Sequence, residues 1–311
     1  MNTKLKQIVG AVGLALAMSS ATAGITWNGQ PTSTVFQDDN IDFAMTVDKQ
    51  ATNYNPNDPS TWTLIPDTDD TLNVGDVLVA VVEFNTAAGK PILPQELTGV
   101  SVIQAKSVGP GGIEFEPYAG GLNAAAGVNV PGGGVGGGAM VAFWLDDTPN
   151  LAVDAGLVPN NLSCKTRAEC LAQASDGALW QVDGFGADIT NNYWTALGTG
   201  ATYSTILGKP VTQISGFFNA GLDILHNGTG KDLVLLGLPG NNGPVDVLVN
   251  GTINGGGAFN PTAKAALQSL IDDGYVATSD TDLEKMAVPE PGTMILLGAG
   301  LVGLGLRRRR A

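Results

Sequence analysis

The sequence predicts a mainly β protein: a β-sandwich-like domain with one or two short helices, followed by an apolar C-terminal helix. Three observations predict it. Short apolar and β-branched runs recur along the chain. Stretches rich in Gly, Asn, Asp and Pro punctuate them. Helical periodicity is confined to two short segments.

Taken in order, the first run is Asn40 to Val47, where Ile41, Phe43, Met45 and Val47 alternate with polar neighbours, the pattern of a half-buried strand. Val77 to Phe84 follows the turn Asn73-Val74-Gly75-Asp76. It is almost continuously apolar, as a strand buried on both faces would be. Gly99 to Ala105, Ala139 to Leu145, Val211 to Phe218, Asp232 to Leu236 and Val245 to Val249 read as further strands. Turns are expected at Gly109-Pro110-Gly111-Gly112, across Pro239 to Pro244 and at Asn254-Gly255-Gly256-Gly257. The Gly-rich run Pro131 to Gly138 reads as a loop and lacks the Gly-Lys-Ser/Thr ending of a phosphate loop.

Asn260-Pro261 supplies a cap and a first-turn proline for a helix over Thr262 to Asp273, with Ala266, Leu267, Leu270 and Ile271 at helical spacing and Gly274 as its stop. Thr166 to Glu169 reads as a capping box opening a second helix near Arg167 to Ala174. Cys164 would then stand just outside the cap and Cys170 in the second turn, close enough for a disulfide in an oxidising compartment. Thr278 to Met286 is polar and charged and reads as a linker. No internal repeat is evident, which argues against a solenoid or propeller.

Signals for chemistry are sparse. His226 is the one histidine, has no nucleophile motif near it and reads as a strand end or turn. Glu114 with Glu116, and Asp146 with Asp147, are the carboxylate pairs a glycosidase would need, but spacing alone cannot set their separation. Asp67, Asp69, Asp70, Asn73 and Asp76 form the densest set of hard oxygen ligands. A loop-type calcium site would use them, although Leu72 and Leu78 break the EF-hand pattern; a solvated acidic turn is the competing reading. Trp180 and Trp194 read as core or as an aromatic sugar platform. No other cofactor is implied.

The two ends carry the clearest information. Lys4 and Lys6, an apolar core from Ile8 to Met18 and the small-residue run ending Ala21-Thr22-Ala23 have the layout of a signal peptide cleaved before Gly24 by signal peptidase. At the other end, Val288-Pro289-Glu290-Pro291 precedes an uncharged stretch, Gly292 to Leu306, and then Arg307, Arg308, Arg309 and Arg310. The Arg cluster acts as a stop-transfer element held on the cytoplasmic side. Fifteen residues of helix reach only about 22 Å, short for a permanent span. The expected organisation is therefore a signal peptide (1–23), an exported β-rich domain (24–277), a linker (278–287) and a C-terminal segment (288–311). Two of the 15 basic residues lie in the leader and four in the tail, leaving nine against 29 acidic residues in the exported part, a formal net charge near −20. Such a surface repels nucleic acid and anionic lipid.

This tail resembles a PEP-CTERM sorting signal, the substrate of the membrane transpeptidase-like exosortases. The resemblance is confined to about the last two dozen residues. It implies cleavage near Pro289-Glu290-Pro291 after transient residence in the inner membrane, and release or transfer to the cell surface or exterior. It also implies a bacterial host that makes exopolysaccharide, and so a structural or adhesive role in matrix, biofilm or floc. A carbohydrate-active enzyme with paired carboxylates, and a calcium- or ligand-binding module, remain open as alternatives.

Overall fold

The computed structural model describes residues 34–68, 72–87, 89–92, 94–153, 162–187, 190–198, 215–229, 238–239, 244–255 and 267–285. In chain order its strands are β1 (Thr34–Val47), β2 (Leu64–Pro66), β3 (Val77–Ala87), β4 (Lys90–Pro91), β5 (Glu96–Gly109), β6 (Gly112–Pro117), β7 (Ala139–Asp146), β8 (Ala178–Gly184), β9 (Tyr193–Gly198), β10 (Ser215–Asn227), β11 (Leu238–Pro239), β12 (Pro244–Val245), β13 (Val247–Gly255) and β14 (Tyr275–Lys285). The helices are α1 (Leu122–Ala126), α2 (Arg167–Ala174) and α3 (Gln268–Asp272).

The main sheet closes on itself. Antiparallel pairing runs β3–β1–β14–β13–β10–β8–β7–β5, and β5 pairs back onto β3. The expectation of mainly β structure holds, but the two layers of a sandwich are joined into one barrel. Period-two alternation is the same in both architectures, so the sequence pattern does not separate them. Register shifts at Gln37/Asp38, Asp42/Phe43, Ala105/Ser107 and Ile224/His226 bend the wall, as bulges do.

The wall forks on one side. β5 pairs with β7 through Ser101 and with β6 from Ile103 onward. β10 pairs with β9 up to Gly221 and with β8 from Asp223. β6 and β9 pair with each other, so the ring is completed by β7 and β8 at one level and by β6 and β9 at the next.

β3 is buried on both faces, as its apolar run predicts. Leu78, Val82 and Phe84 point into the barrel, while Val77, Val79 and Val81 point out beneath the helices. The outer layer is built by α1, α2 and α3, with Leu122, Cys170, Leu171, Leu267 and Leu270 packed over the wall. In α2, Thr166 Oγ1 accepts from Glu169 N (3.2 Å), the expected cap, while the Glu169 carboxylate reaches one residue farther back, accepting from Lys165 N (2.8 Å) and not from Thr166 N. The cap brings the Cα atoms of Cys164 and Cys170 to 5.0 Å, and the two are disulfide-bonded. Gly274, at φ +99°, ends α3, and its carbonyl accepts from Ala44 N at 2.9 Å. Residues 262–266 of the expected helix lie outside the described residues.

Three expectations need correction. The polar stretch expected as a linker is the body of β14, which sits between β1 and β13. Its residues alternate: Ser279, Thr281, Leu283 and Lys285 are buried, and Asp280 and Asp282 are exposed, so a strand with polar inward residues passes for a linker by composition. β10 runs on through His226 instead of ending near Phe218. In β1 the polar positions Asp38, Asn40 and Asp42 are not solvated but face the barrel interior, while Ile41, Phe43 and Met45 pack outward under the helices. The expected strand over 232–236 lies outside the described residues.

Candidate functional site

The inward alternation of β1 and β14 puts a polar stripe on an otherwise apolar lumen. Asp38, Asn40 and Asp42 on β1 face Ser279 and Thr281 on β14, with Ser101 on β5 nearby, and together they border a cavity of about 60 Å³. Glycines make room for the large rings lining it. A Cβ on Gly99 would lie 2.8 Å from the Phe143 ring, and one on Gly251 would strike Phe218.

Asp38 Oδ1 accepts from Thr281 N at 2.6 Å. The Asn40 amide stands 3.0 Å from Ser279 Oγ and 2.6 Å from Thr281 Oγ1. When its nitrogen donates to those hydroxyls, they are free to donate onward, Thr281 to Asp38 and Ser279 to Asp42. The amide oxygen then faces Asp38 Oδ2 at 3.3 Å, a contact that needs a proton on Asp38. Turned over, the amide is better satisfied, because the same oxygen would also face the Asp39 carbonyl: its nitrogen donates to Asp38 and to the Asp39 carbonyl, and its oxygen accepts from both hydroxyls. Burial pushes Asp38 well above the usual carboxylate range. It pushes Asp42 up to about 7, with the Ser279 hydrogen bond opposing the shift. Asp42 Oδ2 has no hydrogen-bond partner among the described residues.

Farther along the lumen Lys285 Nζ meets Asp183 Oδ2 at 2.9 Å, both side chains fully buried. Gln181 also donates to Asp183, and the ammonium lies 4.5 Å from the Phe143 ring centre and 5.2 Å from that of Trp180. Burial drives Lys285 down and Asp183 up, and their contact pulls each back toward its charged form. On the outer wall, Glu96 accepts from Asn150 N and Leu151 N (3.3 and 3.0 Å) and Glu83 from Val153 N (2.6 Å), clamping the segment after β7. Burial raises both carboxyls, Glu96 to about 7.

The residues singled out by sequence fall elsewhere. Glu114 and Glu116 share the outer face of β6, and Glu114 lies 3.9 Å from Lys106 Nζ. Asp146 ends β7, where its carboxylate accepts from Thr148 N at 2.9 Å, and Asp147 accepts from Gln95 at 2.7 Å. Along β5, Asp146 is registered with Glu96 and Glu114 with Ser107. Eleven residues of strand separate the two pairs by about 36 Å, so the four carboxylates do not converge in one cleft. Trp180 and Trp194 are both core: Trp180 packs on Phe36 and Phe143, and Trp194 stacks on Phe218. His226 sits partly exposed on β10 opposite Val182.

Asp76 is buried and accepts from Asn73 N at 2.6 Å, closing the turn before β3. Asp69 and Asp70 lie outside the described residues, and among the described residues no three acidic, His or Cys side chains are grouped to hold a metal. The processing residues Ala21, Ala23, Val288, Pro289, Glu290 and Pro291, and Arg307 to Arg310, also lie outside. No helix of the described residues is long and apolar enough to cross a membrane.

What comes after β14 decides the routing. Residues 287–310 match the PEP-CTERM protein-sorting motif. That signal is read by exosortases and marks the chain for export to the cell surface or exterior. Comparison with curated proteins and with solved structures gave no match. Sequence reasoning missed the polar stripe and the Lys285–Asp183 pair. Their signal was the spacing Asp38-x-Asn40-x-Asp42 opposite Ser279-x-Thr281, legible only once β1 and β14 are known to be neighbours.

Proposed function

We propose that the exported β-barrel is a non-catalytic structural or adhesive module, displayed at the cell surface or in the matrix in association with exopolysaccharide. The observation that carries this reading is the sorting motif at residues 287–310, which follows two residues after the barrel's last strand. That Glu114 and Glu116 do not share a cleft with Asp146 and Asp147 supports it. Signal peptidase acts after Ala23 and an exosortase near Pro289 to Pro291. A domain with a formal charge near −20 is not attracted directly to an acidic polymer, so contact runs through bridging cations or through neutral hydrogen bonds and stacking.

The processed extracellular protein is the species to test. Its intact mass should correspond to a chain beginning at Gly24 and lacking Arg307 to Arg310; finding those arginines on the extracellular form would contradict exosortase processing. It should retain exopolysaccharide better with millimolar calcium than with chelator, and release no reducing sugar. Turnover that vanishes when Glu114, Glu116, Asp146 or Asp147 is replaced by its amide would establish the carbohydrate-active alternative instead.

A further inference from the structure

We propose that the barrel lumen is a binding site for a small primary alkylammonium ion, its head group held by Asp42 and its alkyl end by the apolar wall. The site is separate from any adhesive surface. Asp42 is 6 % exposed and borders the cavity, and its Oδ2 lacks a partner among the described residues. A buried carboxylate oxygen left without a donor is costly, and a ligand that brings one removes the cost. When Ser279 donates to Asn40 instead, Asp42 loses its other donor as well.

Among the described residues the buried cation of the lumen, Lys285, is engaged by Asp183, and it lies six residues beyond Ser279 on β14, roughly 20 Å along the strand. An ammonium head offers three donors, which Asp42 and the adjoining Ser279 can accept. Leu78, Val82 and Val141 supply the apolar surroundings for a short chain. Calcium needs six to eight oxygen ligands converging on one point, whereas Asp38 and Asn40 are already turned to Thr281 and Ser279 and, among the described residues, no three acidic side chains are grouped to hold a metal. Size restricts the ligand further: a cavity of 150 Å³ holds benzene, so about 60 Å³ takes two or three heavy atoms, methylammonium or ethylammonium. Phe115, Val141 and Trp194 line the cavity where the wall forks between β7/β8 and β6/β9.

Protons compete for the same oxygen. The groups facing Asp42 are Asp38 on its own strand and Tyr275 on β14, whose ionisation burial opposes first and the Asp42 charge second; from β3 comes Ala80 alone. Asp183 on β8 is paired with Lys285. Because Asp42 titrates near 7, its ionised fraction is about tenfold smaller at pH 6 than at pH 8.5.

The test is a ligand-observed NMR titration of the processed protein with ethylammonium at pH 8.5 and pH 6, beside ethanol and tetrapropylammonium. Saturable binding of ethylammonium alone is expected, about tenfold weaker at pH 6. Asp42→Asn and the cavity-filling Ala80→Leu should abolish it; Asp39→Asn should not. Absence of saturable binding at pH 8.5 overturns the site. So does equal uptake of tetrapropylammonium, which only the acidic surface can hold. The wild-type size and pH dependence decides the matter even if either lumen variant fails to fold.

Discussion

The two faces of the β1–β3 wall are built from the same strands and do opposite things. Outward, Ile41, Phe43, Met45, Val77, Val79 and Val81 form a dry seam under α2 and α3. Inward, at the intervening positions of β1, Asp38, Asn40 and Asp42 are just as buried but polar. Each outward Val or Ile contributes roughly 1.5–3 kcal/mol by leaving water. Each inward carboxyl costs free energy unless it is hydrogen-bonded or protonated. The contrast teaches that in a barrel with a helical cover, the polar half of an alternating strand need not be its wet half.

The sharpest way to break this comparison is to put a charge on the outer seam. Val81→Asp should cost more than about 5 kcal/mol and prevent accumulation of folded protein, because the described residues clustered around Val81 are apolar and offer the carboxylate no partner. Urea titration of the variant beside Asp282→Asn, at an exposed position on β14, measures it. Similar midpoints for the two would mean that the seam is not dry.

Next in size is Lys285→Met. It leaves Asp183 buried without its counter-ion and should cost about 3–5 kcal/mol, whereas Lys285→Met with Asp183→Leu should recover most of the loss. A double variant as unstable as the single would show that the ammonium's packing on Phe143 and Trp180 matters more than its charge.

The inner stripe is probed by pH. The folded-state value of Asp42 is raised, so the native state holds that proton more tightly than the unfolded chain. Its contribution is complete below about pH 4 and is lost as pH rises through 7. Asp42→Asn should remove up to about 4 kcal/mol of the fall in stability between those values. Urea midpoints at half-unit pH steps decide; parallel curves for variant and wild type would mean that Asp42 is ionised and solvated in the native state.

How much of this was readable beforehand follows from what each signal depends on. Local signals held: the Thr166 cap, the Gly274 stop, the Gly109–Gly112 turn and the two-faced burial of Val77 to Phe84 rest on neighbouring residues alone. The sorting motif was legible for the same reason, being contiguous. What failed depended on distant neighbours. β14 resembled a linker because its inward side chains are Ser, Thr and Lys, which are favourable inside only opposite Asp38, Asn40 and Asp183, more than 100 residues away. Barrel closure requires β5 to return to β3, which no local pattern encodes.

A smaller effect comes from the edge of the helical cover. Removing the Cys164–Cys170 link with a double Ser substitution frees a loop of only a few residues, so the loss should be about 2 kcal/mol, seen as a lower urea midpoint with an unchanged slope. A changed slope would mean that α2 detaches from the wall on its own.

The smallest effect belongs outside the helical cover. Glu114 sits on the outer face of β6, 3.9 Å from Lys106, with both side chains more than half exposed. Water screens such a pair, and holding two long side chains together costs entropy, so Glu114→Gln should shift stability by no more than about 0.5 kcal/mol. The same substitution removes one of the 29 acidic charges. If calcium-dependent polymer binding falls while the urea midpoint stays fixed, Glu114 belongs to the contact surface. If the midpoint falls by more than about 1 kcal/mol, the β6 wall is not the solvated face described above, and the contrast between covered and open wall fails there.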